Sequence, residues 1–330
     1  MNSKTNLGYC CINLQLRKSN VYVSRTCRKA TFDSKGIKHV SELAINNVRD
    51  LAEIIKWNED SGFKVYRMSS SMFPWMSEYE LKDLPDYKKI STLLNGIGSL
   101  ASKYGQRLSF HPGAFNVLGS PNPVLANKTI KELNQSAEIM DLMGLTRSRY
   151  YPINIHCNGV YGDKVATLER WSNNYKKLSP SAQARLVVEN DDKASMYSVQ
   201  DLYDGIFNKV GVPITFDFHH HRFQPGDLSE QEAFELAMTT WQHHNIKPLF
   251  HYSSCRKTFE DANCKAQAHA DFIYEKINDY GHAVDIEIEA KAKELAVIKY
   301  KQTTNCSLLE SYLPFDLSLS VKPLTLQYVL

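Results

Sequence analysis

Eight β-type runs alternate with amphipathic helical stretches along almost the whole chain, and this alternation constrains the fold more than any other feature. The runs lie near residues 7–13, 63–69, 107–112, 151–157, 185–190, 213–219, 247–253 and 284–290. Helical periodicity appears between them near 40–60, 87–104, 123–143, 163–177, 197–209, 229–244 and 265–280, with an eighth helix from about 291. Ser198, and either Asp227 or Ser229, supply N-cap signals for the fifth and sixth helices. Strands joined through helices must run parallel, and eight such units predict an α/β fold of the (β/α)8 TIM-barrel class. In that fold the C-terminal strand ends carry the chemistry.

The polar residues fall at those ends. The segments SFHPG, NIHCNG, VVENDD, TFDFHHH and LFHYSS are followed by AHAD and IEIEAK. His111, His156, Glu189, Asp217, His251 and Glu289 end strands three to eight, one to a strand, and barrel closure would gather them at a single mouth. His220 and His269 follow in adjoining loops. Imidazoles mixed with carboxylates suit zinc or manganese, and a carboxylate can bridge two ions roughly 3.5–4 Å apart. Glu189, in the middle of the set, is the candidate bridge. His39, His243, His244 and His282 sit in or beside helices and read as structural or exposed. Three consecutive histidines cannot all point inward, so His219 and His221 remain ambiguous beside His220.

With 330 residues and 43% hydrophobic content the chain can form one large barrel domain. The expected division is a domain over 1–303 and a C-terminal tail over 304–330. No uncharged apolar run approaches the 18 or so residues of a bilayer span, and MNSKTNLGYCC lacks the layout of a signal peptide. The expectation is a soluble, intracellular protein with no membrane partner. Seven cysteines without a CxxC pair fit a reducing compartment. The net charge of +3 is too small to imply nucleic acid. Its distribution is more informative, because Arg17, Lys18, Arg25, Arg28, Lys29, Lys35 and Lys38 face only Asp33 in what reads as one long connection after strand one.

Taken together, LGYCCIN with SRTCR, FKVYRMSSSMFP, GQRLSFHPG, HCNGVYGDK, VVENDD, DFHHH, HYSS, AHAD and EAKAKE resemble the UV damage endonuclease family, in family order, from about Leu7 to Glu294. The resemblance implies a TIM barrel related to endonuclease IV and a single nick immediately 5′ of a lesion in double-stranded DNA, at cyclobutane dimers and (6-4) photoproducts, with abasic sites as a further candidate lesion. It implies Mn²⁺ as cofactor, as two or three divalent ions, with Zn²⁺ or Mg²⁺ as alternatives. The implied metal ligands are His111, His156, Glu189, Asp217, His220, His251, His269 and Glu289. Glu189, Asp217 and Glu289 are the catalytic carboxylates, with a metal-held hydroxide near Glu189 as nucleophile.

Tyr9 and Asn13 match family residues that contact the lesion. The family's duplex-probing pair corresponds to Ala114, which cannot hydrogen-bond through its side chain, and Phe115, which can wedge or stack. Arg25, Arg28 and Lys29 are the candidate phosphate contacts, and Arg67 either faces the site or pairs with a ligand carboxylate. Some members carry a carbamylated lysine where this chain has Leu249, so the His220/His269 metal position is expected to fill weakly. Glu287, one layer below Glu289, is expected to pair with Lys247 or another barrel cation. The expected protein is a monomer acting in the cytoplasm, at the nucleoid, or in the nucleus of a eukaryote. Two rival functions are a metal-dependent sugar isomerase on the same barrel and a damage-binding module that does not cut.

Overall fold

A computed structural model of the protein describes residues 5–310, with side chains to 304. The strands are β1 (Asn6–Cys10), β2 (Val65–Met68), β3 (Arg107–Phe110), β4 (Ile153–His156), β5 (Leu186–Glu189), β6 (Ile214–Thr215), β7 (Leu249–Tyr252) and β8 (Asp285–Ile288). All eight are parallel, in the order β6-β5-β4-β3-β2-β1-β8-β7. The gap between β7 and β6 is spanned by a bridge from Asp217 to His251, in which the His251 N–H donates to the Phe216 carbonyl at 2.9 Å. This makes the sheet a nearly closed barrel.

The principal helices are α1 (Lys29–Asp60), α2 (Tyr87–Lys103), α3 (Pro123–Leu142), α4 (Lys164–Tyr175), α5 (Val199–Leu202), α6 (Glu230–Gln242), α7 (Arg256–Phe259) and α8 (Glu294–Glu310). Their starts follow local chemistry. Asn122 accepts from the Val124 N–H ahead of a proline at the first turn of α3, while Ser198 and Ser229 form capping boxes with Asp201 and Glu232. α5 continues through a π-helical turn, Tyr203–Phe207, into Asn208–Val210.

Two helical expectations need correction. α1 begins near Lys29 rather than 40, so much of the basic connection is helical; Gly36, at φ 67°, breaks it ahead of the buried stripe Val40, Ala44, Val48, Leu51 and Ile55. No helix covers 265–280. There the backbone is spent on a bridge between Cys255 and His269, with Ala270 N–H donating to Ser254 and Arg256 N–H to Ala268. A helix would use those donors internally and could not carry His269 across the mouth.

Strand alternation divides the side chains into two shells. Outward residues such as Tyr9, Tyr66, Leu108, Phe250 and Ile286 are fully buried among the helices. Inward residues form polar layers. Arg107 meets Asp285 at 3.1 Å at the base, Ser109 donates to Glu287 one layer up, and the third layer holds His111, Glu189, His251 and Glu289. β1 fits against β2 only because residue 8 is glycine, since a Cβ there would lie 2.3 Å from the Val65 carbonyl oxygen. No helix among the described residues is long and apolar enough to cross a membrane. The expected tail, from 304, lies outside the described residues beyond 310.

Candidate metal centre

Glu189 ends β5 with no solvent exposure and touches four imidazoles from four different elements. Its Oε2 lies 3.0 Å from His111 Nε2 and 3.6 Å from His156 Nε2. Its Oε1 lies 3.2 Å from His220 Nδ1 and 3.1 Å from His251 Nδ1. Each oxygen therefore serves a different pair of rings, the disposition a bridging carboxylate needs. Three groups of donors converge closely enough to hold an ion: His111, His156 and Glu189; Glu189, Asp217 and His220; Glu189, His251 and Glu289. Glu189 belongs to all three.

Short-range structure explains how the ligands are aimed. β6 stops at Thr215, so Asp217 leaves the strand and caps the four-residue helix Phe218–His221, its Oδ1 accepting from the His220 N–H at 2.8 Å. That turn points the His220 ring towards Glu189 and sends its neighbours elsewhere. His219 contacts the Gln267 carbonyl at 3.1 Å, and His221 packs on Phe216. His269 stands at the rim, its Nδ1 3.1 Å from the Glu289 carbonyl and 3.6 Å from Glu289 Oε2. It joins none of the three convergent groups.

The donor set fits divalent cations. Glu189 Oε1, Asp217 Oδ2, His156 Nδ1 and His251 Nδ1 are buried without a hydrogen-bond partner, which proteins rarely tolerate without a ligand. Burial raises the Glu189 carboxyl, but His251, His156 and hydrogen bonds from His111 and His220 outweigh it and hold the group well below the usual carboxylate range. Burial lowers His220 and His251, yet Asp217 and Glu189 in the first case, and Glu189 and Glu287 in the second, raise them well above an ordinary imidazole. His156, where burial dominates, is pushed down to about 4. A neutral imidazole is the form that binds a metal.

Several supporting residues had no distinct signal in the sequence. Asn154 donates to Glu189, and Asn190 both accepts from the Asp217 N–H at 2.8 Å and donates to its carbonyl at 3.1 Å. Asp191 lies 3.5 Å from His156 Nδ1. Alternation alone could have nominated Asn154, two residues before His156 on the same strand face. Glu287 accepts from Ser109 and lies 3.2 Å from His251 Nε2 and 3.9 Å from Arg67. Lys247 donates to Asp285, so of the two cations expected for Glu287, Lys247 or another from the barrel, it is Arg67 that Glu287 faces.

The DNA-facing candidates are placed unevenly. Tyr9 is 0% exposed and its ring points outward among Trp57, Phe63 and Tyr66, with its hydroxyl donating to Asn58 at 2.7 Å. Asn13 is also buried, donating to the Tyr9 hydroxyl and capping the turn Leu14–Arg17. β1 parity thus turns the Tyr9 ring away from the mouth, and Asn13 is tied to its hydroxyl. Arg25 is held by Asp50 at 2.7 Å and by the Tyr22 carbonyl. Arg28 and Lys29 are exposed, Lys29 pairing with Asp33. Arg67 pairs with Glu289, the second of the two roles anticipated for it. Phe115 is 94% exposed and, with Ala114, Trp75, Thr26, Leu125 and Tyr161, borders a cleft of about 860 Å³. The basic segment adjoins this cleft, since Trp75 Nε1 donates to the Cys27 carbonyl at 3.0 Å.

Known proteins resemble this chain to different extents. The chain is 35% identical to the UV-damage endonuclease of Schizosaccharomyces pombe over 302 residues, which cover 89% of this chain and 49% of that protein. It is 32% identical to the putative UV-damage endonuclease of Acanthamoeba polyphaga mimivirus, covering 89% of each. The chain thus spans about half the length of the fungal relative and most of the viral one. The crystal structure of SacUVDE superposes with a TM-score of 0.77 at 27% identity, covering 91% of this chain and 99% of that one. Endonuclease IV from Thermus thermophilus, at a TM-score of 0.51 and 11% identity over 79% of this chain and 94% of that one, shares the barrel fold. The sequence model described as UV-endonuclease UvdE matches residues 5–312, and the chain belongs to that family.

Proposed function

We propose that the protein is a metal-dependent DNA repair endonuclease that nicks duplex DNA immediately 5′ of UV photoproducts, and of abasic sites, leaving a 3′-hydroxyl and a 5′-phosphate. The observation that carries this reading is the fully buried Glu189, whose two oxygens each face a separate pair of imidazoles. His111, His156, Glu189, Asp217, His220, His251 and Glu289 would hold the ions, with His269 at the rim. Bound Mn²⁺, or Zn²⁺ or Mg²⁺ in its place, would supply Lewis-acid stabilisation of the phosphate and lower the pKa of water towards about 7.

The residues of the chain do the positioning. Asn154 fixes Glu189, Asn190 fixes the Asp217 backbone, and Glu287 holds His251 from behind, so the ligands need little reorganisation when DNA arrives. Damaged nucleotides unstack at lower cost than intact ones. Phe115, which gives up almost no burial on leaving its place, is the group that would fill the space left in the duplex. Arg28 and Lys29 would contact phosphates at the cleft edge, while Arg25 mainly holds the loop against Asp50. The catalytic domain would act as a monomer inside the cell, and because the expected 303/304 boundary falls within α8 (Glu294–Glu310), the tail would begin only after that helix.

The test is to incubate purified protein and Mn²⁺ with end-labelled duplexes carrying a cyclobutane dimer, a (6-4) photoproduct or an abasic site, and to map the cuts. A nick 5′ of each lesion with little cutting of intact DNA is expected. Equal cutting of intact duplex would remove lesion specificity; binding without cutting, or aldose turnover instead, would favour the two rivals. In the same assay Phe115→Ala should lower incision about tenfold to a hundredfold, matching one base-stacking or wedging interaction of about 1–3 kcal/mol. Unchanged incision would leave Phe115 without a role in DNA.

Charge reversal of Arg28 and Lys29 to Glu should weaken binding to damaged and intact duplexes alike, because phosphate contacts carry no sequence information. A plot of log affinity against log salt should become shallower, by about 0.9 for each phosphate no longer neutralised. An unaltered slope would place this edge of the cleft away from DNA.

A further inference from the structure

The third donor group differs from the other two in having a cation already attached. Among the described residues, in the group built on Asp217, Asp217 Oδ2 is a buried acceptor with no hydrogen-bond partner, and in the group of His111 and His156 the carboxylate oxygen, Glu189 Oε2, meets only those rings and the Asn154 amide. In the third group, Glu289 Oε1 is taken by the Arg67 guanidinium, and Oε2 faces the His269 ring at 3.6 Å. Arg67 sits one layer from the mouth on β2, beside Ser109 in register, and its Nη1 also lies 3.9 Å from Glu287. The side chain is only 12% exposed, so its charge is little screened by solvent.

We infer that Arg67 serves as a resident cation at the Glu289 position, so that the centre binds two divalent ions and not three. This rests on the metal-dependent reading above. An ion held by Glu189, His251 and Glu289 would have to share Glu289 with the guanidinium, and the two like charges would repel at close range in a poorly solvated pocket. Arginine cannot relieve this by losing its proton. The position weakened by this chain's own residues is then the Glu289 one, and not the His220/His269 position suggested by Leu249.

Native mass spectrometry and Mn²⁺ titration calorimetry of the chelator-stripped protein would decide. The parent should take up two ions, and Arg67→Met a third, or its weakest ion at least tenfold more tightly, while Arg67→Lys should stay at two. Three ions of comparable affinity in the parent would overturn the inference and leave the metal-dependent reading intact. No uptake by the parent would overturn both. The stoichiometry of the parent is informative even if Arg67→Met does not fold. A folded Arg67→Met, checked by its melting curve, that still takes two ions at parental affinity would equally remove Arg67 from the role.

Discussion

Glu189→Gln should lower incision of a photoproduct-bearing duplex at least a thousandfold, on the order of 4 kcal/mol of barrier. The amide keeps the shape of the carboxylate but removes the charge that all three donor groups share. It also presents an N–H to rings that now face carboxylate oxygens, so either the His111/His156 side or the His220/His251 side loses its oxygen. Mn²⁺ affinity should fall with the rate, whereas binding to damaged DNA, which depends on the cleft and its basic edge, should fall much less. Incision within tenfold of the parent would show that Glu189 is not the bridge.

Arg107→Leu is expected to cost about 3–5 kcal/mol of stability, the range for removing one partner from a buried ion pair. The guanidinium is fully buried at the base of the barrel, where it donates to Asp285 at 3.1 Å and to the carbonyls of Tyr150 at 2.7 Å and Pro248 at 3.1 Å. Leucine fills part of the volume but withdraws donors from the Asp285 Oδ2 oxygen and from the carbonyls of Tyr150, Arg149 and Pro248, of which Pro248 still accepts from the Asp285 N–H. Lys247 and Asn6 still reach the other oxygen of Asp285, which keeps the cost near the lower end. Urea unfolding would measure it, and a loss under about 1 kcal/mol would mean that the base of the barrel rearranges around the substitution.

The two predictions probe layers of unequal legibility. Glu189 could be nominated from the string VVENDD, because a carboxylate at the end of an apolar run has few purely structural uses. Arg107 gave no such sign: in RLSF it reads as an ordinary polar residue entering a strand, and only the strand order, with β2 and β1 between β3 and β8, shows that it reaches Asp285. The same holds for Arg67, whose partner Glu289 is far away in sequence. Tyr9 shows the converse limit. The family resemblance marked its position, yet the parity of β1 turns the ring into the helix layer, where its hydroxyl meets Asn58 and Asn13.

What the sequence determined by itself was what short-range rules control. Period-two alternation placed Glu287 and Glu289 on one face, apolar periodicity marked most of the helices, and Ser198 marked the start of α5, while the structure chose Ser229 over Asp227 for α6. Those rules bring the ligands to one end of the barrel. Which donors share an oxygen, and which carboxylate already holds a cation, depended on contacts between strands remote in sequence. The segment 265–280 illustrates the reason: helical by local pattern, it forms turns around a single bridge because contacts with Cys255 and Ser254 satisfy its backbone where the mouth needs His269, and no local preference carries that information.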